Sequence, residues 1–152
     1  MKRLLVAALL VLIALPAAAQ QRRALSIQDF LSLERPGEPQ ISLDGRWVVY
    51  TVTVPDLAAN RRRSDLWLQA VAGGAPQRLT TDSLGGRSAR WSPDGRRIAF
   101  INSRGGTPQV WLYDVASHQQ RQVTSLSSGA DGVLFSPQGH WLAFVSDVYP
   151  SC

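Results

Sequence analysis

Few side chains in this sequence are of a type and spacing that could do chemistry, and they are scattered. They are His118 and His140, Asp44 and Asp94, the serines of "SLSSGADG" (125–132), the run Arg61-Arg62-Arg63, and Cys152. Serine hydrolysis needs a Gly-x-Ser-x-Gly elbow between a strand and a helix. No such string occurs, and the serines of 125–132 have the wrong spacing with no helix after them. Two histidines 22 residues apart, without Cys or carboxylate at ligand spacing, do not make a metal site. His118 lies in the polar turn "VASHQQR" and His140 just after another turn, so both read as exposed decoration. Asp44 and Asp94 resemble a carboxylate pair, yet each sits in its own turn, where aspartate bonds its own backbone. No catalytic, cofactor-binding or metal residue is therefore assigned, and no cofactor is expected. Arg61, Arg62 and Arg63 remain as a candidate substrate or interdomain contact, against the plainer reading of a solvated loop.

The elements that would position these residues repeat. "ISLDGRWVVY" (41–50), "WSPDGRRIAF" (91–100) and "FSPQGHWLAF" (135–144) each close one strand, turn tightly and open another. Pro93 presets φ, Asp94 bonds back to the chain, and Gly95 takes positive φ without strain. Ser92 and Ser136 are 44 residues apart, as are Trp67 and Trp111, and Leu79-Thr80 and Val123-Thr124. The step from Ser42 to Ser92 is 50, and the six additional residues sit most easily between Pro55 and Ser64, a loop longer than "RGGTP". A period of ~40–50 residues built of four short strands is that of propeller blades. The expectation is an all-β, incomplete propeller of about two and a half four-stranded blades: about 38–82, 87–126, and an incomplete 131–152. Trp47, Trp67, Trp91, Trp111 and Trp141 recur in register and read as core. Before the blades, a leader and short helix occupy 20–37. Ser26 and Asp29 form its capping box, and Pro36-Gly37 is expected to end it.

Residues 1–19 read as a secretory signal peptide. Lys2-Arg3 precede the apolar run Leu4–Leu15, Pro16 breaks it, and Ala17-Ala18-Ala19 offers the small residues a signal peptidase needs. Twelve apolar residues are too few to cross ~30 Å of hydrocarbon, so no membrane association is expected after cleavage. Losing Lys2 and Arg3 takes the formal charge from +5 to +3, too small and dispersed to argue for nucleic acid. The chain is expected in the periplasm or outside the cell. Cys152, its single cysteine, has no partner within it.

The order of "DFLSLERPGEPQISLDGRWVVYTVT", "NRRRSDLWL", "RWSPDGRRIAFINSRGGTPQVWLYD" and "FVSDVYPSC" resembles bacterial exported peptidases of the prolyl oligopeptidase (S9) group. The likeness is to the acylaminoacyl-peptidase and dipeptidyl-peptidase-like members, and it covers Ser26 to Cys152. The middle motif alone is shared with WD40-like PD40 blades, as in TolB-like proteins. The resemblance implies an amino-terminal propeller that gates peptide access to a downstream α/β-hydrolase domain carrying a Ser, Asp and His triad. That domain lies outside this sequence, and peptides would be the substrates of the parent protein. The alternative is a TolB-like periplasmic protein-binding propeller without enzymatic activity.

Overall fold

The computed structural model describes residues 23–81 and 85–148. The leader read as a signal peptide and Cys152 lie outside the described residues. A short helix, α1 (Ile27–Ser32), precedes ten strands: β1 (Arg35–Ile41), β2 (Trp47–Asp56), β3 (Arg61–Ala70), β4 (Gln77–Arg78), β5 (Arg87–Trp91), β6 (Arg97–Asn102), β7 (Gln109–Asp114), β8 (Gln120–Gln122), β9 (Asp131–Phe135) and β10 (Leu142–Val145). Every pairing between them is antiparallel, in sheets of order β1-β2-β3-β4, β5-β6-β7-β8 and β10-β9. These are two four-stranded propeller blades and the first two strands of a third.

At α1 the capping box forms as its spacing predicts. The Asp29 amide donates to Ser26 Oγ (3.1 Å), and the Ser26 amide donates to Asp29 Oδ2 (2.8 Å). Arg23 forks onto both Asp29 oxygens at 2.7 and 2.6 Å. Pro36-Gly37 does not end the helix: α1 stops at Ser32, and β1 already starts at Arg35 and pairs Pro36 with Val52. A proline is tolerated there because β1 is an edge strand. The pairing slips between Gly37 and Gln40, and Glu38 takes a φ of 49°.

The blades hold together face to face. β6 and β7 are buried on both sides, so "RIAFIN" and "QVWLY" run apolar without polar alternation. Ile98, Phe100, Trp111 and Tyr113 point at the first blade and pack with Val49, Leu66, Leu68 and Leu79. Ala99, Ile101, Val110 and Leu112 point the other way and pack with Ala130 and Val133. A fully buried Leu, Ile or Phe contributes about 1.5–3 kcal/mol. The exposed ion pairs are worth about 0–1 kcal/mol each, so stacking of the sheets dominates.

The repeat holds residue by residue. Trp67 stands between Tyr50 and Arg78, and Trp111 between Phe100 and Gln122, in the same register. Trp141 departs from the expected core, being 76% exposed. Leu142 packs against the second blade, so its neighbour Trp141 faces the opposite side, which no described residue covers.

Candidate functional site

The antiparallel order gives the sheets two ends with different chemistry. One carries the Ser-x-Asp-Gly turns. Ser42 Oγ donates to Asp44 Oδ1 (2.6 Å) and accepts the Trp47 amide (3.0 Å); Ser92, Asp94 and Arg97 repeat this at 2.5 and 2.9 Å. The Ser42 hydroxyl, then the Arg46 amide and guanidinium, hold the Asp44 carboxyl down to about 2. The Ser92 hydroxyl and Arg96 amide lower Asp94 in the same way. Both carboxylates are consumed by their turns and do not meet. In the third turn Gln138 replaces the aspartate, and Ser136 Oγ still accepts the Trp141 amide at 3.1 Å. His140 is exposed there. His118, with φ 58°, bonds the Tyr113 hydroxyl through Nδ1 at 2.7 Å, a link that ties its turn to a buried ring.

The arginine run lies at the other end, and not in a loop. The Asn102–Gln109 pair of the second blade corresponds to Val52–Asp65 of the first. Between these pairs lie six residues in one blade and twelve in the other, and the additional six lengthen the strands. Thr53, Val54, Pro55 and Asp56 pair with Ser64, Arg63, Arg62 and Arg61. The ladder gains four pairs, and the surplus of three residues per arm, at ~3.3 Å each, carries the β2–β3 hairpin roughly 10 Å past its counterpart. Pro55 lies beyond Thr53, where pairing with β1 has stopped, so its missing N–H is tolerated. Asp56 caps the tip through the Ala59 amide (3.0 Å), and Asn60 closes it at φ 48°.

Alternation along β3 divides the three arginines. Arg61 Nε lies 3.8 Å from Asp56, and Arg63 Nε donates to the buried Asp65 at 3.1 Å. Arg62 has no ion-pair partner among the described residues and lines a cleft of about 190 Å³ between the first two blades. Ser64, Gly85, Gly86, Arg87 and Ile101 complete its wall. The crossover comes close here. The Gly86 amide donates to Ser64 O at 2.7 Å, and a Cβ on Gly85 (φ 64°) would lie 1.9 Å from that oxygen.

Sequence reasoning singled out Arg62 but missed Arg87 and the two glycines, since only folding brings them to it. It also missed the role of Asp65. Asp65 accepts from Arg63 (3.1 Å) and Arg78 (2.8 Å), while Thr80 Oγ1 takes the Leu66 amide (2.9 Å). The second blade repeats this with Gln109 and Thr124: Thr124 Oγ1 takes the Val110 amide (2.9 Å) and donates to Gln109 (2.8 Å). The 44-residue spacing of Thr80 and Thr124 was the available signal. Among the described residues no three His, Cys, Asp or Glu side chains gather as a metal site, and no helix is long and apolar enough to cross a membrane.

No family model matches the chain. Dipeptidyl-peptidase 5 of Porphyromonas gingivalis is 32% identical over 81 residues, which is 53% of this chain and 12% of that protein. The fold is similar to Pyrococcus horikoshii acylaminoacyl peptidase, with a TM-score of 0.63 and 20% identity over 74% of this chain and 17% of that one. It is also similar to TolB from Acinetobacter baumannii, with a TM-score of 0.61 and 26% identity over 73% of this chain and 26% of that one. The chain thus spans 12–26% of the length of these three proteins.

Proposed function

We propose, from the premise that the chain is a β-propeller segment akin to those of the S9 peptidases, that it gates peptide access to a downstream α/β-hydrolase domain of the same polypeptide. One observation carries this reading: the β2–β3 ladder runs four residue pairs beyond that of its counterpart and presents Arg61 and Arg62 at one end of the blades. A structural repeat gains no core from such an extension, since Leu57 at its tip is 65% exposed. A projecting basic rim suits the narrowing of an entrance and contact with a passing peptide or a facing domain. The relatives named as peptidases support that context. In this reading the chain contributes no catalytic group, and the hydrolytic Ser, Asp and His belong downstream. Export through the leader at 1–19 completes the proposal and places the protein in the periplasm or outside the cell.

The second reading is a TolB-like protein-docking propeller without enzymatic activity, favoured by the 26% identity to TolB. The two readings separate on the reading frame beyond Cys152 and on active-site labelling. The gating proposal expects a Gly-x-Ser-x-Gly elbow, then Asp and His, and covalent labelling of that serine by a fluorophosphonate in the full polypeptide. A frame that closes after further blades, with no labelling, supports docking instead.

A further inference from the structure

The crevice between the first two blades recurs between the second and third, with the opposite charge. Ser64, Gly85, Gly86, Arg87 and Ile101 line the first; Pro108, Gly129, Ala130, Asp131 and Val145, each 44 residues later, line the second. The backbone closure is the same in both. Gly86 donates to Ser64 O at 2.7 Å, and Ala130 donates to Pro108 O at 2.8 Å. The second crevice also holds Asp147, and Arg87 reaches into it to pair with Asp131, so two carboxylates stand there against one guanidinium. The first holds Arg87, and its remaining wall residue, Arg62, comes from the hairpin extension that the second blade lacks.

From this comparison we propose that the first crevice is a carboxylate-binding site, built from a generic blade junction by adding Arg62 and placing Arg87 at the repeat position of Asp131. Its ligand is a peptide presenting a carboxylate, either an acidic side chain or a free C-terminus. A guanidinium offers a planar fork of donors that matches a carboxylate. Arg62 has no ion-pair partner among the described residues. Arg87 reaches Asp131 at 3.2 Å, but both side chains are largely exposed, at 41% and 58%. That pair is therefore weak and exchangeable. The glycines keep side chains out of the crevice floor, which Arg62 lines, and a bound carboxylate would draw Arg87 in from Asp131. The inference rests on reading this end of the blades as the peptide-facing one.

The test is fluorescence anisotropy on the full polypeptide with four labelled pentapeptides. One has an internal Glu and an amidated C-terminus, one is all-Ala with a free C-terminus, and one carries both carboxylates. The fourth has neither. The proposal expects tighter binding of carboxylate-bearing peptides, weakened by salt. Arg62→Ala and Arg87→Ala should each weaken it about tenfold, while Arg96→Ala, in a turn at the opposite end, leaves it unchanged. Asp131→Asn removes the competing carboxylate and should tighten binding. That gain cannot come from a misfolded variant. The first two peptides identify which carboxylate the site prefers. Equal binding of the blocked neutral peptide, or indifference to Arg62→Ala, overturns the site while leaving the peptide-facing reading standing. Binding of none of the four peptides overturns both.

Discussion

Replacing Gly85 with alanine tests the blade junction at its tightest point. Two costs can be separated. Gly85 has a φ of 64°, where an L-residue pays about 1–2 kcal/mol. Its new Cβ would also lie 1.9 Å from the Ser64 carbonyl oxygen, which must retreat by about 1.1 Å to reach the 3.0 Å below which real contacts do not go. That retreat breaks the 2.7 Å bond from the Gly86 amide and leaves a buried donor unsatisfied, at about 1–3 kcal/mol. Gly85→Ala should therefore cost about 2–5 kcal/mol. Gly45→Ala provides the control: its φ is 70°, but nothing lies within 4 Å of the added carbon, so only the first cost of about 1–2 kcal/mol applies. Gly129→Ala, with its nearest contact at 3.0 Å, should fall between them. Urea unfolding of the full polypeptide, followed by fluorescence of the buried Trp111 and its half-buried neighbours, gives the order. Equal losses for Gly85→Ala and Gly45→Ala would refute the junction as described.

Thr80→Ala should cost about 1–3 kcal/mol, because the Leu66 amide loses its buried acceptor; hydrogen exchange at that amide should speed up, and an unchanged rate would contradict the network. Asp44 titrates at about 2 when folded against 3.8 when free, so the stability it contributes is present above about pH 4 and lost as pH falls towards 2. Thermal unfolding measured from pH 6 to pH 2 should show that loss, flattened in Asp44→Asn. Residues 20–152 expressed alone should bind a dye for apolar surface, because Leu134, Trp141 and Val145 are 53%, 76% and 66% exposed. A cooperative monomeric unfolding transition without dye binding would count against this.

The blades were legible because their signals are local. Ser-x-Asp-Gly turns, tryptophans at fixed spacing and strands apolar on both faces each leave a mark in a few consecutive residues. The hairpin extension was legible only as a surplus of six residues. Pro55, Asp56 and the three arginines argue for a loop on propensity, yet cross-strand pairing continues past the end of β1 and draws them into strands. Pro36 misled for a related reason, since an edge strand tolerates the residue that ends a helix. Trp141 shares the sequence context of Trp47, but its burial depends on what lies on the outer side of its sheet. The crevice was hidden entirely, because Arg62 and Arg87 are 25 residues apart and meet only where two blades stack.

If the long β2–β3 hairpin restricts what reaches a downstream active site, shortening it should admit larger substrates. The most direct measurement exchanges residues 53–64 for residues 103–108, the six-residue connection that already closes the second blade, in the full polypeptide. The kcat/KM for a chromogenic dipeptide substrate is then compared with that for an extended, structured peptide bearing the same cleavable group. The dipeptide rate should be kept while the structured peptide gains at least tenfold, so that discrimination between them collapses. Unaltered discrimination in a variant that folds and hydrolyses the dipeptide normally would contradict it.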